Sequence, residues 1–151
     1  MREIKFRGKR IGDGMWIYGD LIRCDGRAYI FNNGVNPFDA SSWYEVITET
    51  VGEFTGLGDK SEKEIYEGDI LLVKDEQYTF RLDDGSGPIE EANHLSEVIF
   101  NVGAFGVAIK ENGISYKIGF HSFDKAYYYV GDSEKDFEVI GNIHENPELL
   151  K

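Results

Sequence analysis

VGEFTGLGDKSEKEIYEGDILLV, residues 51–73, holds a glycine-rich loop, a lysine followed by a serine, and two acids beside an apolar run. Three readings compete for it. A phosphate-binding loop needs G-x-x-x-x-G-K-[ST] between a strand and a helix, with the lysine directly after the glycine. Here Asp59 separates Gly58 from Lys60 and puts a negative charge where phosphate would sit, and Glu62 to Tyr66 is too short for a helix. Glu67 and Asp69 would make a carboxylate pair for acid–base chemistry only if burial held one of them neutral. A Gly-Asp step before an apolar run is more simply a turn aspartate at the start of a strand. The stretch therefore reads as a turned corner followed by Ile70-Leu71-Leu72-Val73, a run of the kind buried on both faces.

Strand signals continue outward in both directions. Met15 to Tyr18 and Leu21-Ile22 flank a Gly19-Asp20 break, and Trp43 to Thr48 is rich in aromatic and β-branched residues. Phe105, Val107 and Ile109 share one face, Glu111-Asn112-Gly113 turns the chain, and Ile114, Tyr116, Ile118 and Phe120 alternate back. Asn-Gly between two alternating runs is the strongest short hairpin signal, because both residues tolerate positive φ. Val98, Phe100 and Val102 alternate in the opposite phase, so a bulge or a corner is expected at Gly103. Phe137, Val139 and Ile143 alternate until Asn146-Pro147, and Pro147 to Leu150 suits one closing helical turn. Short helices are otherwise admitted only at Pro37 to Trp43 and Ile89 to Leu95. Tyr18-Gly19-Asp20, Tyr66-Glu67-Gly68-Asp69 and Tyr129-Val130-Gly131-Asp132 repeat one local pattern at unequal glycine intervals of 49 and 63 residues, so it is a turn device and no repeat array. It reads as an aromatic that packs, a glycine at positive φ and an aspartate bonding the turn.

A chain of 151 residues supports one well-buried core. One domain over 1–151 is expected; the alternative is two intimately packed lobes, about 1–82 and 89–151, parted at the Asp83 to Pro88 loop. The lone Cys24 forms no internal disulfide, and no run approaches the roughly 18 apolar residues that span a bilayer. A soluble, intracellular protein without membrane contact follows as the expectation. The net charge of −12 is uneven: residues 1–27 balance at +3 and the remainder at −15. Such a chain is repelled by a phosphate backbone, so nucleic acid is not the expected partner.

Other candidate sites are sparse. His94, His121 and His144 lack a second ligand at close spacing. Asp83-Asp84-Gly85 resembles a fragment of a calcium loop without its alternating ligands. No metal, cofactor or catalytic residue is expected. The candidate interaction surface is Arg7, Lys9 and Arg10 followed by Trp16 and Tyr18, because cations interleaved with aromatics on strands can stack and pair with a partner. The competing reading is an edge strand guarded by cations beside a core tryptophan.

Three blocks resemble a known family. Met1 to Ile22 with K-F-R…W-I-Y-G-D-L-I, Val51 to Val73 with V-G-E-F-T-G-L-x-D-K…K-E-I-Y-E-G-D-I, and Phe137 to Leu150 with F-E-V-I-G-N-I-H-E-N-P-E-L-L are similar to the YopX family of bacteriophage and prophage proteins. The resemblance implies a mainly β fold of many short antiparallel strands in a barrel-like or cradle-like arrangement. It also implies tight self-association as a homo-oligomer, a phage or prophage source and the bacterial cytoplasm. Family members carry D-K-N-G-K-E where this chain has Asp59 to Glu64 without the glycine, which puts the tight turn in question. No catalytic residue comes with the resemblance. The expected function is therefore non-enzymatic, binding a phage or host protein or assembling with itself. The alternatives are a nucleic-acid accessory factor using the basic N-terminal edge, an acidic decoy of a host DNA-binding protein, and a small enzyme with convergent titratable groups.

Overall fold

The computed structural model describes residues 2–32, 36, 38–73, 76–78, 82–91, 93–109, 119–123 and 137–151. The chain divides into two compact units, Met1–Leu57 with Glu64–Glu67, and Gly58–Lys63 with Gly68–Lys151. Both are built from short strands, as expected, and among the described residues helical structure is limited to short turns. None of the three sheets is closed into a barrel. The loop at 83–88 lies inside the second unit, where it joins the two strands of a small hairpin.

The first unit is a six-stranded sheet of β1 (Phe6–Lys9), β2 (Trp16–Cys24), β3 (Arg27–Asn32), β4 (Trp43–Val46), β5 (Gly52–Gly58) and β6 (Glu64–Tyr66), in the order β4-β3-β2-β1-β5-β6. Gly19-Asp20 does not break β2, which runs through as nine residues with Gly19 paired to Asn32. The reason lies at Gly19: its φ is +154°, and a Cβ there would sit 1.7 Å from the Phe31 carbonyl oxygen. Glycine thus lets the ladder continue where any side chain would interrupt it. Asp25 and Gly26, at φ 50° and 76°, join β2 to β3 as a two-residue turn. Asp-Gly between two strands is the sequence signal of such a turn.

The inner face of this sheet buries Ile17, Ala28, Ile30 and Val46, with Phe6, Leu21, Tyr44 and Val51 packed around them. The strands curl until the end of β1 meets β4. Arg10 bridges Val46, the Ile47 N–H donates to the Lys9 carbonyl and the Ile11 N–H to the Glu45 carbonyl. A 3-10 turn at Ala40–Ser42 falls inside the stretch where a short helix was admitted, capped by Asp39; a second, at Thr48–Thr50, was not anticipated.

The second unit holds a five-stranded sheet and a two-stranded one. Its strands are β7 (Asp69–Val73), β8 (Glu76–Tyr78), β9 (Ile89–Glu91), β10 (His94–Asn101), β11 (Ala104–Ile109), β12 (Gly119–Ser122) and β13 (Phe137–Asn142). The larger sheet runs β12-β11-β10-β7-β13, and β8 pairs with β9. Among the described residues of Ile89 to Leu95 the short helix admitted there is absent: they belong to β9 and the start of β10, which find ladder partners in β8 and β7. β7 lies between two strands and buries Ile70, Leu71 and Val73 completely, which explains its unbroken apolar run.

The phase flip at Gly103 is a hairpin. Val98 pairs with Val107, Phe100 with Phe105 and Asn101 with Ala104, so Val102-Gly103 is a two-residue turn with φ 50° and 79°. A two-residue turn sets even positions opposite odd ones, which is why the two apolar patterns were out of phase. β11 and β12 do pair antiparallel, but Ile109 faces Gly119; an uninterrupted ladder around Asn112-Gly113 would bring it to Tyr116. That turn itself lies outside the described residues, as does Gly131. β13 carries a bulge between Val139 and Gly141, and the chain closes in a 3-10 turn at Pro147–Leu150.

Candidate interaction surface

The register of β1 on β2 brings four of the five candidate residues together. Arg7 lies opposite Tyr18 and Lys9 opposite Trp16, so all four side chains leave the same face. The Arg7 guanidinium sits 4.7 Å from the Trp16 ring centroid and 5.0 Å from that of Tyr66, and donates to the Glu67 carbonyl at 3.2 Å. Only 6 % of Arg7 is exposed, so its charge is held inside this stack. Lys9 approaches the other end of Trp16 at 5.8 Å. Tyr18 stacks against Tyr66 at 5.5 Å and remains 44 % exposed.

The same stripe continues through residues that sequence reasoning did not single out. Lys5 lies 5.0 Å over the Phe54 ring and pairs with Glu64. The Tyr66 hydroxyl donates to Glu64 at 2.8 Å. Burial pushes the Tyr66 phenol upward, and its bond to the Glu64 carboxylate pushes it further. Burial also works to raise Glu64, but the bonds from Lys5 and Tyr66 outweigh it and hold the carboxyl below its ordinary value. The period-2 spacing of Lys5, Arg7 and Lys9 was the signal that could have revealed this run of cations on rings.

Arg10 is set apart from the other cations. It stacks at 4.2 Å on Tyr44, a residue packed against the inner core, and makes a loose pair with Asp13 at 3.4 Å. Around it lies a cavity of about 270 Å³ lined by Arg10, Met15, Trp16, Tyr18, Asn32 and Tyr44, with Ile17 among its walls. A second cavity, also about 270 Å³, shares Asn32 and Tyr44 and is lined further by Asn36, Asp39, Ser41 and Ser42. Its carboxylate is already engaged, since Asp39 accepts from the Ser41 N–H at 2.9 Å and the Ser41 hydroxyl at 2.7 Å.

The glycine loop of the opening stretch does hold an anion, and the anion is Asp59. Oδ1 accepts the N–H groups of Ser61 at 2.8 Å and Lys63 at 3.0 Å, while Oδ2 accepts that of Val139 at 3.0 Å. Burial works against the charge, but these three donors win and hold the carboxyl below its usual range. Backbone donors that would cradle a phosphate are therefore bound to the loop's own aspartate. The Lys60 N–H adds a bond to the Phe137 carbonyl, and its side chain pairs with Glu138. Together they cover the outer edge of β13, which would otherwise present unpaired groups to any passing strand.

The remaining candidates resolve individually. Asp69 is buried at the start of β7, and the Glu67 carbonyl is the acceptor for Arg7. His94 is buried in β10, and burial lowers its pKa. The His121 side chain lies outside the described residues. Asp84 accepts from the N–H and hydroxyl of Ser86, closing a turn of its own. Among the described residues no group of three His, Cys, Asp or Glu side chains is placed to hold a metal. Cys24 is exposed, and no helix among the described residues is long and apolar enough to cross a membrane.

Comparison with known proteins agrees with the blocks quoted from the sequence. No curated protein matches the chain. Among solved structures, the crystal structure of protein EF1440 from Enterococcus faecalis is similar at a TM-score of 0.54 and 22 % identity, covering 100 % of both chains. At that identity the likeness speaks for the fold alone. The family model described as YopX protein matches residues 5–151, nearly the whole chain including the Asp59 loop and the β1–β2 stripe, and on that match the chain belongs to the YopX family.

Proposed function

We propose that this chain is a non-catalytic binding protein of phage or prophage origin, acting in the bacterial cytoplasm through the outer part of the Lys9, Arg10, Trp16 and Tyr18 surface. The observation that carries this reading is the composition of that surface. Arginine, tryptophan, tyrosine and methionine are the residues enriched where proteins anchor one another. Here they stand beside Ile11 and Met15, which are 57 % and 63 % exposed. Two other carboxylates of residues 51–73 have structural partners: Asp59 holds the loop over β13, and Glu64 binds Lys5 and Tyr66.

Nucleic acid is the weaker reading of the same surface. Arg7 is buried and bonded to a carbonyl, leaving Lys9 and Arg10 as the cations at the open end. Affinity for a phosphate backbone grows with the number of phosphates neutralised, and two cations on a net-acidic chain neutralise few.

The test is a tagged pull-down from infected or prophage-induced cells read by mass spectrometry, beside light scattering of the pure protein. A stoichiometric partner, or a defined self-assembly, whose formation is weakened by Arg10→Glu supports the reading. A monomer that retains nothing in the pull-down refutes it.

A further inference from the structure

Two of the hairpins share one turn geometry. Asp25-Gly26 joins β2 to β3 at φ 50° and 76°, and Val102-Gly103 joins β10 to β11 at φ 50° and 79°. Aspartate suits the first position of such a turn, because its short polar side chain tolerates the left-handed region. Valine does not, since its branched Cβ crowds the backbone there, and Val102 is the only β-branched residue at positive φ among the described residues. Nothing within the chain compensates by burial: Val102 is 90 % exposed, and a Cβ on Gly103 would meet nothing within 4 Å. Beside it Phe100 is 53 % exposed and held edge-on against Phe105, with ring centroids 5.0 Å apart. Single exposed apolar residues are ordinary. Strain and exposure at one residue, where Asp-Gly closes the same turn elsewhere in the chain, point to a contact outside the chain.

Charge narrows what this tip meets. Residues 98–109 contain no Asp, Glu, Lys or Arg, in a chain that is 29 % charged. The unit that carries the tip, Gly58–Lys63 with Gly68–Lys151, holds 9 bases against 18 acids, a balance of −9. Such a unit repels a second copy of itself, a nucleic acid and an anionic membrane. A basic surface is drawn to it, and the uncharged tip can enter an apolar recess without stranding a charge. We propose that Phe100 and Val102 form an apolar plug that seats in a socket on a protein partner, with Lys and Arg around the rim of the socket. The plug belongs to β10 and β11, not to the strands that carry Arg10 and Trp16, so it adds an interface to the one proposed above.

The experiment places the photocrosslinking residue p-benzoylphenylalanine at Phe100 and, as a control, at Leu82, an apolar residue of the same 53 % exposure. Both variants of the full chain are irradiated in infected or prophage-induced cells, and the crosslinked peptides are identified by mass spectrometry. Phe100 is expected to yield a protein adduct, absent from Leu82, whose crosslinked segment is apolar and lies beside Lys or Arg. That protein is then purified and its affinity for variants of the chain measured. Val102→Asn should weaken binding about tenfold while raising the melting temperature, and Val102→Ile should bind within about twofold of wild type. Loss of binding with a gain in stability is not expected of a residue that only shapes the turn. The proposal is overturned by no adduct at Phe100, by equal adducts from both positions, by an adduct to a second copy of this chain, or by an acidic crosslinked segment. Affinity indifferent to Val102→Asn overturns it too, as does sedimentation with phosphatidylcholine vesicles that Val102→Asn abolishes.

Discussion

Asp59 Oδ2 lies 3.0 Å from the backbone nitrogen of Val139, so a side chain from the glycine loop takes the place a neighbouring strand's carbonyl would hold on the edge of β13. The next residue completes the imitation, with the Lys60 N–H bonded to the Phe137 carbonyl at 2.9 Å. An aspartate is required because its two oxygens face donors on opposite sides. Asp59→Asn is expected to cost about 1–3 kcal/mol, since an amide nitrogen must then face an N–H. Asp59→Ala, which loses all three acceptor contacts, should cost more, roughly 3 kcal/mol. Urea unfolding curves compare the two. Losses of a few tenths of a kcal/mol would show that the loop contributes no anchoring.

Two residues occupy left-handed backbone positions that their side chains disfavour. Glu62, at φ 62°, holds a left-handed conformation that glycine suits best, so the turn forms without that residue. Its geometry is kept by the Glu62 N–H to Asp59 carbonyl bond at 2.9 Å. Val102, at φ 50° and 90 % exposed, is β-branched and gains nothing from burial. Glu62→Gly and Val102→Asn should each stabilise the protein by about 0.5–1 kcal/mol. Thermal melts of the single and double variants check this, with additive gains expected because the turns are separate sites.

Arg7 is an exacting position in the first sheet. Lysine can carry the charge there but cannot lay a planar guanidinium between Trp16 and Tyr66 while donating to the Glu67 carbonyl. Arg7→Lys is expected to cost about 1–2 kcal/mol, and Arg7→Ala about 3 kcal/mol. Denaturation followed by tryptophan fluorescence measures both. Equal stability of the lysine variant and wild type would refute the stacking argument.

His94 makes the second unit sensitive to mild acid. Burial holds its pKa below the ordinary 6.5, so the folded chain keeps it neutral where the unfolded chain takes up a proton. The unfolded state then binds more protons, so this contribution to stability is complete above pH 6.5 and is lost as pH falls towards the folded value. Melting temperature should drop between pH 7 and pH 5, with a shallower slope in His94→Gln. Identical slopes in the two proteins would place the sensitivity elsewhere. Asp59 and Glu64, also lowered, act further down. Their contributions persist until the pH falls through folded-state values that lie below the ordinary carboxylate range.

Local chemistry determined most of what could be read without a fold. Alternation marked the strands from Val98 to Ile109, glycine marked the turns, and Asp59 between Gly58 and Lys60 placed a negative charge in the glycine loop. These are one-dimensional signals, because strand period and turn conformation depend on near neighbours. What followed from pairing was decided only in three dimensions. Whether Gly19 ended β2 or let it pass depended on the Phe31 carbonyl opposite, and Ile89 to Glu91 became a strand because β8 was there to receive it. Arg7, Lys9 and Arg10 look equivalent in sequence. The register on β2 buried the first over Trp16, left the second half-buried beside the same ring, and the bridge to Val46 sent the third to Tyr44. A cation's availability depends on which ring and which carbonyl lie across the sheet, and those partners come from strands far away in the chain.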